Sequence, residues 1–446
     1  MNIAFIPIDD RPVCYLLPKQ IAEINPAINL HLPERELLGN LEKQSQTDKI
    51  LQWLENLSNI DTIILSLDTI AYGGLIPSRR CDDDFETIKN KIDKLKTILK
   101  KHNAKIFAFS SIMRISNNNI NEEEKEYWSE WGKKIFDYSY YSHKQNQQSC
   151  IATHIPDEIL ADYLKTRQRN FEINKIYLDW QKEGIFNTLI FSKDDCSEYG
   201  FNVQEAQTLE KLGGFTKTGA DEIPISLLAR SIEKKIKIAP IFLAPEHKNL
   251  ISHYEDISIE QSTLAQLKLA NCQVKSPDEA DILLFINNFE HNQGEHVMNI
   301  ATKEYDGKWL MPQKPYMIAD LRYANGGDNS FVTQILNTDF DENFYGYSGW
   351  NTSANSLGSL ICTAKMKFSA DKYNKNAFIN SQITRLLDDW AYQANVRSQM
   401  NSLDIKELKN KIIKHEEKLF DFFKTKKETK YKYCWNRKFE IEVELI

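Results

Sequence analysis

Apolar and polar positions fall into two repeating patterns along this chain. Short runs rich in β-branched residues, bounded by polar clusters, recur at Ile3–Ile8, Ile28–Leu32, Thr62–Leu67, Lys105–Phe109, Thr188–Phe191, Ile238–Leu243, Asp281–Ile286, Tyr316–Ala319 and Phe344–Tyr347. Runs of this length and composition predict strands. Between them lie longer stretches with apolar residues every three or four positions, as at Asp48–Leu57, Phe85–Lys101, Glu122–Asp137, Pro156–Lys182, Val203–Leu212, Ala220–Lys234 and Ile259–Ala270. That spacing predicts helices with one buried face. Strand and helix taking turns is the pattern of repeated βα units and a mainly parallel sheet. The expected form is an α/β domain over residues 1–370 built as a TIM-like barrel, with doubly wound open sheets as the alternative.

Beyond residue 370 the pattern changes. Asn376 to Lys430 is helical in period and heavily charged, the run Lys424–Lys432 is basic, and Phe439–Ile446 alternates apolar with acidic residues as a half-exposed edge strand does. Residues 371–446 are therefore expected to form a solvated helical extension ending in an edge strand. The 446 residues carry 56 basic and 63 acidic side chains, a formal net charge of −7. No basic stripe interleaved with aromatics occurs outside the tail, so nucleic acid is not an expected partner. No apolar run approaches the ~18 residues of a membrane helix. The seven cysteines (Cys14, Cys81, Cys150, Cys196, Cys272, Cys362, Cys434) are scattered and never spaced as CxxC. With an N-terminus that reads as a core strand rather than a secretion signal, they suggest a reducing, cytoplasmic setting.

In βα architectures the carboxyl ends of the strands face the ligand crevice, so the residues after each apolar run are the ones to inspect. They are rich in acids, amides, serine and arginine: Asp9-Asp10-Arg11 after the first run, Ser66-Leu67-Asp68 to Tyr72-Gly73-Gly74 after the third, Ser110-Ser111 to Arg114 after the fourth, and Lys193-Asp194-Asp195 after the fifth. Later runs lead into Ala244-Pro245-Glu246, Asn287-Asn288, Asp320 to Asn325-Gly326-Gly327-Asp328, and Gly349-Trp350-Asn351-Thr352. Each motif has a plain structural reading, since Asp and Asn cap helices and Gly-Gly makes turns. Their recurrence at eight strand ends points instead to one shared polar crevice. Two further segments bear on it. Gly219-Ala220-Asp221-Glu222 reads either as a helix cap or as a crevice-lining loop, and Asn351 to Asn355 leads into small residues where a helix start can lie close to a ligand.

At these positions the chain resembles a bacterial family known as domain-of-unknown-function family 4127. The runs that carry the resemblance are Ile6 to Pro12, Ser66 to Gly74 with Ser78-Arg79, Asp194-Asp195 with Tyr199-Gly200, Gly219 to Glu222, Ala319-Asp320 with Tyr323 to Gly326, Gly349 to Thr352 with Asn355, and Trp435-Asn436-Arg437 with Phe439-Glu440. The resemblance implies a common site and names no reaction.

Adjacent carboxylates at a strand end are the device of hexosaminidases in which the substrate's own acetamide is the nucleophile, an analogy to O-GlcNAcase-like barrels. On that reading Asp194 orients the acetamide and Asp195 is the acid/base, its pKa raised by its neighbour and by burial. The expected activity is thus glycoside hydrolysis on a small N-acetylhexosamine-type sugar, with no cofactor required. Asp9, Asp10, Arg11, Asp68, Tyr72, Arg79, Arg114, Asn288, Asp320, Asn325, Asp328, Trp350, Asn351 and Asn355 are the candidate substrate-binding residues. Amides and acids suit vicinal hydroxyls, aromatics suit sugar faces, and the arginines suit a carboxylate substituent or the balancing of the acids. Two alternatives use the same crevice: a divalent-metal hydrolase caging an ion among Asp9, Asp10, Asp68, Asp194, Asp195 and Asp320, or a non-catalytic sugar-binding protein. Against a metal stands the scarcity of strand-end histidines, of which only His247 and His291 qualify, each more often a surface residue than a ligand. A GxxxxGK[ST] run and a GxGxxG after the first strand are both missing, so nucleotide cofactors are not indicated.

Overall fold

The computed structural model describes residues 1–145, 154–194 and 197–446; Asp195 and Cys196, both singled out on sequence, lie outside them. The described residues form two compact units. The first comprises Met1–Tyr15, Asn29–Pro224 and Tyr254–Asp256; the second comprises Leu16–Ile28, Ile225–His253 and Ile257–Ile446.

Strands β1 (Asn2–Ile6), β2 (Asn29–His31), β3 (Thr62–Ser66), β4 (Lys105–Ile112), β5 (Thr188–Lys193) and β6 (Thr216–Thr218) make an all-parallel sheet in the order β2-β1-β3-β4-β5-β6. Along this half of the chain run helices α1 (Pro12–Ala22), α2 (Thr47–Asn56), α3 (Leu67–Ala71), α4 (Pro77–Arg80), α5 (Phe85–Leu99), α6 (Trp128–Gln145), α7 (Asp157–Lys182), α8 (Phe201–Lys211) and α9 (Ile223–Ser231). Alternate strand residues face opposite ways. Ala4, Ile6, Ile63, Leu65, Ile106, Ala108, Leu189 and Phe191 thus join Ile50, Leu54, Ile92, Leu95, Ile173 and Tyr177 of the helices in one core. Their neighbours Ile3, Phe5, Ile64, Phe109 and Ile190 are fully buried on the other face. A sheet covered on both faces explains why its strands read as unbroken apolar runs.

The second unit repeats the arrangement. Strands β7 (Lys237–Phe242), β8 (Gln273–Val274), β9 (Ile282–Asn287), β11 (Tyr316–Asp320) and β13 (Phe344–Ser348) pair in parallel as β8-β7-β9-β11-β13, while β10 (Gly294–Glu295) and β12 (Tyr323–Ala324) form a small ladder of their own. Helices α10 (Ile259–Leu269), α11 (Asn329–Leu336), α12 (Ser353–Ser369), α13 (Lys375–Leu386) and α14 (Ile405–Phe422) follow, with a π-helix over Leu387–Val396, and β14 (Thr429–Tyr433) and β15 (Ile441–Leu445) close the chain as an antiparallel hairpin. Numbered by their order of appearance, the first five strands of both sheets lie as 2-1-3-4-5.

Among the described residues neither sheet closes on itself, so the preferred barrel gives way to open, parallel α/β sheets. The order also fixes where a ligand crevice belongs. In each sheet the chain reverses direction of travel between its first and third strands, β1 and β3 in one case and β7 and β9 in the other, and ligands of open sheets bind outside the strand ends at such a reversal. The chain beyond residue 370 departs from a solvated appendage as well. Arg385, Asp388, Asp389, Trp390 and Gln393 are all buried. Its helical character is as expected, in α13, the π-helix and α14, as is the closing strand, with Ile441 and Val443 buried and Glu444 exposed.

Candidate functional site

Five strand ends of the first sheet converge on one polar cluster. From the end of β1 comes Asp9, whose carboxylate accepts from the Arg11 backbone (3.1 Å) and from Arg11 Nε (2.9 and 3.0 Å). Arg11 turns its other edge to Asp221, beyond β6, with Nη1 3.1 Å from Oδ2 and Nη2 on Oδ1. A guanidinium held bidentately between two buried carboxylates is the strong, directional form of this contact. Burial raises the Asp221 carboxyl and Arg11 opposes that rise. Asp221 thus engages Arg11 at the strand ends.

Asp68 sits one residue into α3, capped by Ser66, whose hydroxyl accepts the Thr69 amide. It has no exposed surface. Its Oδ2 accepts the Ser111 amide at 2.8 Å, across the ends of β3 and β4, while Oδ1 has no hydrogen-bond partner. Burial pushes this carboxyl up to about 7, against the pull of Ser111 and Arg79. One turn on, Tyr72 is buried with an unpartnered hydroxyl, as is Tyr177 of α7, and burial followed by the charge of Asp68 lifts Tyr72 far above the ordinary phenol. The turn after α3 depends on glycine: Gly73 has φ +95°, and a Cβ on Gly39 would sit 1.8 Å from its carbonyl oxygen.

Arg79 of α4 is 2% exposed, and none of its three side-chain nitrogens makes a hydrogen bond. It faces Glu124 at 3.3 Å and Glu123 at 3.5 Å. Burial, then the nearby Arg114, lowers its pKa. Arg114 holds the same two glutamates at 3.0 and 2.9 Å and comes within 3.5 Å of Asp194 at the end of β5. Asp10 accepts from Asn40 at 3.3 Å. The underside of the cluster is braced by α7, where Asn174 accepts from Ser110 and donates to the Ser111 carbonyl, and Asn170 donates to the Ser78 carbonyl. Glu123, Glu124, Asn170, Asn174 and Tyr177 escaped the sequence reading. For α7 a signal existed, because Arg167, Asn170, Asn174 and Tyr177 recur at helical spacing as a buried polar stripe.

The remaining candidates belong to the second sheet, where the two carboxylates are fully engaged while Asn325 Oδ1, Trp350 Nε1 and Asn355 Oδ1 make no hydrogen bond. Asp320 accepts from Asn287 (2.9 Å), the Asp328 amide (2.8 Å) and the Tyr347 hydroxyl (2.9 Å), and burial, then Asp328, raises it to about 7. Asp328 caps α11 through Phe331 and also accepts the Tyr305 amide at 2.7 Å. Arg322 donates to Asn287 at 3.0 Å, and Asp389 of the π-helix accepts the Gly349 amide at 2.8 Å. Asn288 is a clamp on the Ala244 backbone, accepting from its N–H (3.0 Å) and donating to its carbonyl (2.8 Å). Trp350 packs its ring against Phe439 at 5.8 Å. Asn325 and Asn351 adopt left-handed backbone (φ 52° and 62°), with the Asn325 amide on the Asn351 carbonyl and the Asn325 side chain on Glu295. Asn355 donates its amide to the Thr352 hydroxyl that caps α12. The candidate residues are thus divided between the strand ends of the two sheets.

Among the described residues no three His, Cys, Asp or Glu side chains are placed to hold a metal ion together. The same residues contain no helix long and apolar enough to cross a membrane.

A scan of family models matches residues 3–444 to a family described as a protein of unknown function, DUF4127. The chain belongs to that family. The match takes in both sheets and the closing hairpin, so the DUF4127 unit is the whole arrangement rather than one of its halves. A search of curated proteins returns no match.

Proposed function

We propose that the strand-end cluster of the first unit is the active site of a hydrolase that works by acid–base chemistry on a small hydroxyl-rich substrate, a glycosidic bond to an N-acetylhexosamine-type sugar being the specific form. The observation that carries this reading is Asp68. Its carboxyl is pushed up to about 7, so it exchanges its proton near neutral pH, and its Oδ1 has no hydrogen-bond partner at the reversal point of the sheet. A carboxyl that exchanges its proton near neutral pH with one oxygen uncommitted suits acid–base chemistry beside the carboxylate pair. Tyr72 supplies a hydroxyl that makes no hydrogen bond within the protein, and Arg79 a guanidinium that is ion-paired with Glu123 and Glu124 without a hydrogen bond to either. Asp194, set by Arg114, and its neighbour Asp195 form the carboxylate pair assigned on sequence, with Asp195 as acid/base toward the leaving oxygen.

Turnover of a panel of aryl glycosides, acetamido sugars included, tests this in the wild type, in Asp68→Asn, in Asp195→Asn, and after EDTA. The expected result is release of one aglycone that EDTA spares and that each variant slows by ~100-fold or more. Turnover that survives Asp68→Asn removes Asp68 from the mechanism. Loss to EDTA transfers the site to a metal hydrolase, and no turnover of any glycoside refutes the sugar reading.

A further inference from the structure

The reversal point of the second sheet carries a different kind of site. His247 ends the short 3-10 turn Pro245–His247 after β7, and His291 follows β9. Forty-four residues apart in sequence, their rings lie 5.9 Å apart, centroid to centroid, at an interplanar angle of 64°. The fold fixes this approach from below. Asn288 clamps the Ala244 backbone through both its amide atoms, and each histidine stands three residues beyond its end of that clamp. The clamp is built of side-chain and backbone atoms with little or no exposure, since Asn288 is fully buried. Above it His247 is half-buried and His291 exposed, and neither imidazole makes a hydrogen bond among the described residues. Of the nearby carboxylates, Glu290 is held by Lys303 and Arg322, and Glu246 is exposed beside His247.

We propose that His247 and His291 together bind one divalent ion of the borderline transition-metal class, such as Zn²⁺ or Cu²⁺. Neutral imidazole is the preferred nitrogen ligand of these ions, and an ion ~2.1 Å from one nitrogen of each ring fits rings at this separation. Two protein ligands leave the remaining positions to water, which makes this an open site and not a structural one. The clamp does for the pair what outer hydrogen bonds do for metal-binding histidines generally: it sets their positions before the ion arrives.

Both histidines are at the surface, so their replacement leaves the fold intact and the test is direct. The full chain, stripped with chelator and dialysed, is titrated with Zn²⁺ by calorimetry as wild type, His247→Ala, His291→Ala and the double variant. One equivalent bound by the wild type, weakened at least ~10-fold in each single variant, supports the site. Cu²⁺ paramagnetic resonance adds a count of ligands: coupling to two ring nitrogens in the wild type and to one in each single variant. No binding at millimolar Zn²⁺, or a double variant that binds as the wild type does, overturns it.

Discussion

Asp68 of the first unit and Asp320 of the second make an instructive pair. Both lack exposed surface, both stand at the carboxyl end of a parallel strand, and burial raises both to about 7. Asp320 nevertheless has its oxygens filled by an amide side chain, a backbone N–H and a tyrosine hydroxyl, whereas Asp68 is held through Oδ2 by Ser111 and leaves Oδ1 without a partner. A raised pKa alone thus marks burial. What separates the two carboxyls is an oxygen that the protein has left open on one of them. The arginines divide in the same way, Arg322 being tied to Asn287 and the Lys303 carbonyl while Arg79 makes no hydrogen bond at all.

That contrast can be broken by experiment. Arg322→Met should cost ~3–5 kcal/mol in urea unfolding, because it strips Asn287 and Asp328 of a buried charged partner; a cost below ~1 kcal/mol would mean that the second network is as slack as the first. For Asp68 the sign follows from linkage. Its folded pKa is raised, so the stabilisation is fully present below the unfolded value of 3.8 and is lost as pH rises through about 7. Measured against Asp68→Asn, the wild type should lose ~1 kcal/mol per pH unit between pH 4 and 7 and no more above that. Parallel stability curves for the two proteins would show that Asp68 ionises normally. The smallest effect is expected at Arg79, whose two glutamates keep Arg114 when it is removed. Arg79→Met should change stability by less than ~1 kcal/mol while abolishing turnover, and the reverse outcome would make Arg79 a structural residue.

Much of this architecture is legible in the amino-acid sequence, for identifiable reasons. All nine strands expected from the hydrophobic pattern are present, since strands buried on both faces leave long apolar runs. The pattern is silent about closure, because 2-1-3-4-5 open sheets and a barrel are written in the same βα units. β6 and β8 escape notice at three and two residues, and β14 is hidden by Lys430 and Lys432, which point outward from a strand whose Thr429, Tyr431 and Tyr433 are buried. The buried acids after β1, β3 and β11 stand out in the sequence because strand ends concentrate them. Their sorting into an open group and a committed one depends on partners distant in the chain, such as Asp221 for Arg11 and Tyr347 for Asp320, which spacing does not encode. Charge density misleads most at Arg385 to Gln393, where buried ions resemble a solvated face.

Consider finally the order in which a ribosome delivers the chain. Leu16–Ile28 belongs to the second unit, and the Ile24 carbonyl accepts its hydrogen bond from the Asn374 amide at 2.8 Å. The Gly349 amide likewise receives its acceptor only with Asp389. A segment made in the first moments of synthesis must therefore wait for one made near the end, and no single cut releases either unit as a continuous piece. A chain stopped at residue 370 would hold every strand of both parallel sheets and leave the second unit without α13, the π-helix, α14 and the closing hairpin.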